Sequence, residues 1–242
     1  MLDTENNQII QMYHVYKQFG EKNVICNLTM NVENNEFLYI SGPSGAGKST
    51  MLKLLYAGER LSKGQIIVDG LNIVRMNLRN VHKLRRRIGI IFQDFKLISS
   101  RTVFDNVALV LETKGLPRRM IERKVNAALS RVGIDQFANA FPPSLSGGEQ
   151  QRVAVARAVA GEPSIILADE PTGSLDPDSA AIILNLLDDF HKSGGTVLFA
   201  THDISLIEHT DRRVVFLNDG EMYENGRPPY ISTSQKLENY VL

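Results

Sequence analysis

The chain has a single cysteine, Cys26, among 242 residues. No intrachain disulfide and no thiolate metal cluster can be built from it, so a reducing compartment fits. Net charge is also missing. Lys plus Arg and Asp plus Glu each number 27, which removes any general attraction to nucleic acid or to an acidic membrane surface, and no nucleic-acid partner is expected. No stretch approaches the roughly 20 consecutive apolar residues that cross a bilayer. The opening run MLDTENNQII carries acids and amides where a signal peptide needs a basic start and an apolar core, so export by that route is not expected. Internal repeats and low-complexity segments are absent as well. If the chain works at a membrane, another polypeptide must supply the spans.

What is present is an ordinary globular composition, 43% apolar and 22% charged, in a length that suits one large domain or a core with an inserted lobe. Ile9 to Val15 and Val24 to Val32 read as strands of a small antiparallel sheet. Phe37 to Ile40 reads as a strand feeding a glycine-rich turn, and a helix is expected from about Lys48 to Tyr56. Apolar runs at Ile88 to Phe92, Ser164 to Ala168, Thr196 to Ala200 and Val214 to Leu217 are bounded by turn residues, and helical patterns alternate with several of them. Buried parallel strands with helical crossovers explain this pattern.

Helices over Val103 to Glu112 and Pro117 to Arg131 follow one another with no strand between, as an inserted helical lobe would. Asp219-Gly220 is a hairpin turn signal. Residues from Arg227 read as loop and then weak helix. The basic run Arg79 to Arg87 reads first as a solvated helix face, with membrane headgroups or a partner as the other reading.

Gly42, Pro43, Ser44, Gly45, Ala46, Gly47, Lys48 and Ser49 fit G-x-x-x-x-G-K-[ST] between an expected strand and an expected helix, the context a phosphate loop requires. Glycines let backbone N–H groups turn toward one anion, and the helix N-terminus adds positive potential. Lys48 can balance the β- and γ-phosphates of ATP, the Ser49 hydroxyl can ligate Mg²⁺, and Thr50 can reach a neighbouring phosphate. This loop alone does not choose an activity, because nucleoside monophosphate kinases carry a similar run.

Two later segments decide. In Leu145-Ser146-Gly147-Gly148-Glu149-Gln150-Gln151-Arg152, Ser146 and Glu149 are spaced as a capping box, so the segment starts a helix. Its glycines leave the terminal N–H groups unshielded, and a capped end of this kind can also offer donors to a phosphate. Asp169-Glu170 ends the apolar strand Ile165 to Ala168, placing two acids at the carboxyl edge of a parallel strand, where ligands bind. Asp169 is suited to hold Mg²⁺, and Glu170 to polarise an attacking water as general base.

LSGGEQQR, in this order after a phosphate loop and before an acidic pair, resembles the signature of the ABC family of ATPases. The resemblance covers about Ile9 to Glu224. It implies a P-loop α/β core of mostly parallel sheet, an N-terminal antiparallel β-subdomain and an inserted helical subdomain at about 94–160, all within one ATP-binding domain spanning 1–242. It further implies that Gln93 is an oxygen donor to Mg²⁺ or water, that His202 contacts the γ-phosphate, and that Asp176 touches an opposing subunit. The aromatic platform for adenine would be Phe19, with Tyr16 as competitor.

In that family two copies pair head-to-tail, and Ser146, Gly147, Gly148 and Glu149 of one close over the nucleotide held by the other. Phe92-Gln-Asp-Phe-Lys-Leu97 leans toward the cell-division branch, whose ATPase lies on the inner face of the membrane against an integral membrane subunit. Much of the motif set also suits the ATPase subunits of lipoprotein-releasing and macrolide-exporting relatives.

Overall fold

A computed structural model describes residues 7–208 and 210–224. The reading of residues from Arg227 onward lies outside them. The chain opens with β1 (Gln8–Phe19) and β2 (Lys22–Glu33), then β3 (Phe37–Ser41), α1 (Lys48–Leu55), β4 (Lys63–Val68) and β5 (Leu71–Asn72). A short helix α2 (Val81–Arg85) precedes β6 (Ile88–Ile91). Next come α3 (Val103–Glu112), α4 (Arg118–Arg131) and α5 (Gly147–Ala160), before β7 (Ile165–Asp169), α6 (Pro177–Lys192) and β8 (Thr196–Thr201). The described part ends with α7 (Ser205–Glu208), β9 (Val214–Asn218) and β10 (Glu221–Glu224).

Two sheets result. One runs β2-β1-β4-β5 and is antiparallel throughout. The other runs β10-β9-β3-β8-β7-β6, and every pairing in it is parallel except the closing β9–β10 hairpin. The parallel strands are buried on both faces, and period-two alternation sends their side chains into two separate cores. Leu38, Ile40, Leu198 and Ala200 join the antiparallel sheet and α1 in one core. Tyr39, Val197, Phe199 and Ile166 join α3 to α6 in the other. The alternation thus makes β3 and β8 the shared wall between a β-rich layer and a helical layer.

The hairpin signal at Asp219-Gly220 becomes a two-residue turn with φ of 48° and 78°, and Asn218 pairs with Glu221 across it. Strands β4 and β5 and helices α6 and α7 have no counterpart in the sequence-based expectations. The β4–β5 ribbon turns on Asp69-Gly70, with φ of 46° and 73°, the same chemistry as Asp219-Gly220. Helix α6 opens on Asp176 and Pro177, a cap followed by proline in the first turn.

The basic run Arg79 to Arg87 forms an exposed face over His82, Lys83 and Arg85 to Arg87, with Leu84 buried beneath it in α2, as the solvated-face reading expects. Its arginines brace turns: Arg85 donates to the carbonyls of Tyr56 (3.2 Å) and Ala57 (3.0 Å), Arg86 to that of Thr113, and Arg87 to the carbonyl and carboxylate of Asp69, each at 2.8 Å.

Candidate functional site

The turn between β3 and α1 passes so close to neighbouring backbone that side chains are excluded. Gly42 has φ of 144°, and a Cβ there would lie 2.0 Å from the Leu217 carbonyl oxygen. Gly47 has φ of 106°, and its Cβ would lie 2.8 Å from the Val24 carbonyl oxygen. Both positions need glycine for conformation and for space. Helix α1 starts at once afterward, so its N-terminal N–H groups face the turn.

Lys48, the first residue of α1, is buried and folds back over the loop. Its Nζ donates to the carbonyls of Gly42 (2.7 Å) and Pro43 (3.2 Å) and lies 3.3 Å from Glu170 Oε1. Glu170 Oε2 lies 2.6 Å from His202 Nδ1. The Glu170 carboxylate is therefore held between an ammonium on one oxygen and an imidazole on the other. Its backbone is left-handed, with φ of 48°, and is fixed by an N–H bond to the Ala200 carbonyl on the adjacent strand. A non-glycine residue keeps such a conformation only where its surroundings determine it.

One residue back, Asp169 accepts a hydrogen bond from Ser49 Oγ at 2.9 Å. Burial raises the Asp169 carboxyl above the usual aspartate range, against the lowering effect of the Ser49 bond. Ser44, Gly45, Gly47, Lys48, Ser49, Thr50, Gln93, Glu170 and His202 line one cavity of about 310 Å³, joined by Val24 from β2. Val24 had no signal in the sequence, because it arrives by packing of the β1–β2 hairpin over the loop.

The donor set around Ser49 fits Mg²⁺. A hydroxyl and a carboxylate sit side by side with the Gln93 side chain on the same cavity, all hard oxygen donors. Among the described residues no group of three or more His, Cys, Asp or Glu could hold a metal alone.

The remaining expected residues are not among those lining the cavity. Ser146 is exposed and caps α5 through the full capping box: its Oγ accepts from the Glu149 N–H (3.3 Å), and its own N–H donates to Glu149 Oε2 (2.8 Å). These Ser146 bonds hold the Glu149 carboxyl below the usual range. Asp176 caps α6, accepting from the Ser179 N–H at 2.9 Å. The two capped ends adjoin, since a Cβ on Gly148 would lie 2.5 Å from Ser179 Oγ. Ala46 is buried. Phe19 is 44% exposed, with Lys17 Nζ 4.1 Å from its ring centroid. Lys17 is itself anchored on Glu59 (3.0 Å) and the Arg60 carbonyl (2.8 Å).

Comparison with known proteins fits this geometry. The sequence pattern of the ABC transporter family matches residues 25–173. The cell division ATP-binding protein FtsE of Escherichia coli K12 is 46% identical over 216 residues, covering 89% of this chain and 97% of that protein. FtsE of Streptococcus pneumoniae D39 is 41% identical over 215 residues, covering 88% and 94%. A solved dimer of the ATP-binding cassette MJ0796, in a post-hydrolysis state bound to ADP and Pi, superposes with a TM-score of 0.82 at 34% identity, covering 90% of this chain and all of that one.

Proposed function

The chain belongs to the ABC transporter family of ATPases, and from that premise we propose that it works as a head-to-tail pair driving a membrane-bound cell-division complex. The observation that carries the reading is the split of the site. Lys48, Ser49, Gln93, Glu170 and His202 line one cavity within one copy, with Asp169 bonded to Ser49, while Ser146, Gly147 and Gly148 present a capped helix end on an exposed surface. In the pair, that end closes on the γ-phosphate held by the other copy. Residues 1–242 form one ATP-binding domain, with about 94–160 as the arm that carries the capped end.

The hydrolytic step follows from the contacts. An ATP phosphate carries more charge than one carboxylate, so it draws the Lys48 ammonium from Glu170 and frees Oε1 to take a proton from water. His202 keeps the other oxygen oriented. Ser49, Asp169 and Gln93 would hold Mg²⁺, which neutralises phosphate oxygens when bound. Phe19 offers an exposed ring on which adenine stacks, with Lys17 steadying the ring. Asp176 sits on the face turned to the second copy. ATP joins the halves, and loss of the γ-phosphate lets them part.

No helix among the described residues is long and apolar enough to cross a membrane, so force must pass to another chain. A groove of about 600 Å³ between α2, β6, α3 and α5 suits this task. Its lining combines apolar Ile88, Ile90, Phe92 and Leu109 with basic His82, Arg85, Arg86, Lys96, Lys114 and Arg157, and no acidic residue lines it. The occupant that fits is an amphipathic segment with acidic groups, from the inner face of an FtsX-like membrane subunit. Pairing would then act on cell-wall hydrolysis at the septum.

The test is purification of the Glu170→Gln variant with ATP from gently solubilised membranes. The expected product is a pair of these chains with a subunit of few spans and an extracytoplasmic loop. Recovery of single copies, or of a lipoprotein-releasing or drug-exporting subunit, would overturn the reading.

A further inference from the structure

Helix α5 begins at the capped end assigned above to the other copy's nucleotide. Two of its polar side chains run instead to the loops that carry this copy's own catalytic groups. Gln151 is buried to 1% exposure, and its Nε2 donates to the Pro171 carbonyl at 2.8 Å. Pro171 directly follows the left-handed Glu170. The other half of the amide, Oε1, is buried without a hydrogen-bond partner, so this side chain adds little to stability.

Further along α5, Arg157 donates through Nη1 to the Lys96 carbonyl and through Nη2 to the Phe95 carbonyl, each at 2.7 Å. Phe95 and Lys96 have φ of 58° and 48° and are the only consecutive non-glycine pair with positive φ among the described residues. Large L residues hold that conformation only under restraint. Gln93, on the cavity, lies two residues before Phe95. The Phe95 ring itself reaches the first turn of α5, since a Cβ on Gly147 would lie 3.9 Å from its Cζ.

We infer that Gln151 and Arg157 are positioning residues that make α5 a rigid link between the two sites of the pair. One copy's nucleotide, pressing on the other's Ser146–Gly148 end, sets that other copy's Glu170 and Gln93. The inference rests on the head-to-tail reading, and what it adds is the route: these two side chains carry the dependence of each site's hydrolysis on occupancy of the other.

The experiment measures steady-state hydrolysis by the purified full chain against ATP concentration, beside binding of a fluorescent ATP analogue and thermal melting. The wild type is expected to give a Hill coefficient above 1, bounded by its two sites. Gln151→Met and Arg157→Met should bring it to about 1 and lower kcat roughly tenfold, with analogue affinity held within about twofold. Arg157→Lys should fall between, because one ammonium can still reach a carbonyl. Gln151→Met should melt close to the wild type, since it exchanges one buried unpaired oxygen, Gln151 Oε1, for another, the Pro171 carbonyl, and replaces the amide by an apolar group of similar volume.

A wild-type coefficient of 1 overturns the inference. So does a coefficient unchanged in both Met variants, or one lost only together with melting temperature. Wild-type-like hydrolysis by Ser146→Arg would instead overturn the pairing itself. An inactive Ser146→Arg beside unchanged coefficients sinks only the link.

Discussion

The region around Lys48 and the region around Ser146 both end in helix N-termini, yet they are built in opposite ways. At Lys48 a buried ammonium and carboxylate sit at the centre of side chains that answer one another, half-buried Ser49 and Asp169 and exposed His202 around them: ammonium to Glu170, carboxylate to His202, hydroxyl to Asp169. At Ser146 the side chains are exposed and answer only their own helix. What the second region offers outward is backbone, the Gly147 and Gly148 N–H groups of a first turn, where no intrahelical acceptor exists. A cluster of charged side chains is costly to assemble and is kept inside one chain. A capped helix end is complete before any partner arrives, so it can be presented across an interface at little reorganisation cost.

The contrast is broken most completely by disabling each region in a separate copy. Lys48→Ala and Ser146→Arg, each alone, should lower ATP hydrolysis by about a hundredfold or more, the scale of losing a principal charge-stabilising contact. An equal mixture of the two variants should regain activity above either but well short of half the wild-type rate, because a mixed pair contains one intact loop facing one intact capped end while its second site cannot load. A mixture no better than its components would show that the two regions do not meet between copies.

Alanine in place of glycine sharpens the comparison at smaller scale. Gly42→Ala drives a methyl against the Leu217 backbone in a left-handed conformation, so nucleotide binding should be lost and stability should fall by about 2–3 kcal/mol. Gly148→Ala meets only the Ser179 side chain, Oγ at 2.5 Å and Cβ at 3.0 Å; the hydroxyl can rotate away, and the Cβ contact asks α5 and α6 to part by a few tenths of an ångström. That variant should bind a fluorescent ATP analogue like the wild type and melt only slightly below it while hydrolysing poorly, since the parting displaces the Gly147 and Gly148 N–H groups from the line of the other copy's phosphate. Equal binding losses in the two variants would erase the distinction.

Most of the Lys48 region is legible along the chain because its residues sit in local patterns: a glycine loop before a helix, and acids at a strand end. The fold was legible for the same reason wherever a strand is an apolar run, as at Thr196 to Ala200, the strand ending one residue later at Thr201. Val24 was not, because it comes to the cavity through hairpin packing that no local pattern encodes. Nor were the roles of Arg85 to Arg87, since a run of arginines looks alike whether it meets water or backbone carbonyls. Gln151 and Arg157 read as helix residues, and only tertiary structure shows which loops they hold. Lys63–Val68 is a different case. Its ribbon turns on Asp69-Gly70, the same type of signal that was read correctly at Asp219-Gly220.

The smallest effect concerns the two regions' acids, whose carboxyls are displaced in opposite directions. Burial raises Asp169, so the native state holds that proton more tightly than the unfolded chain, and its ionised form costs stability at neutral pH. That cost is relieved as pH falls through the raised folded value. Glu149 is lowered by the Ser146 bonds, so it stabilises the native state above its unfolded pKa and loses that contribution as pH falls through the depressed folded value. Melting curves from neutral to acid should therefore diverge in sign. Asp169→Asn should melt above the wild type at neutral pH and converge with it on acidification; Glu149→Gln should melt slightly below it at neutral pH and also converge. If Asp169→Asn melts lower at neutral pH, the Ser49 and Lys48 contacts outweigh burial, and the catalytic region is stabilised by its charges instead of strained by them.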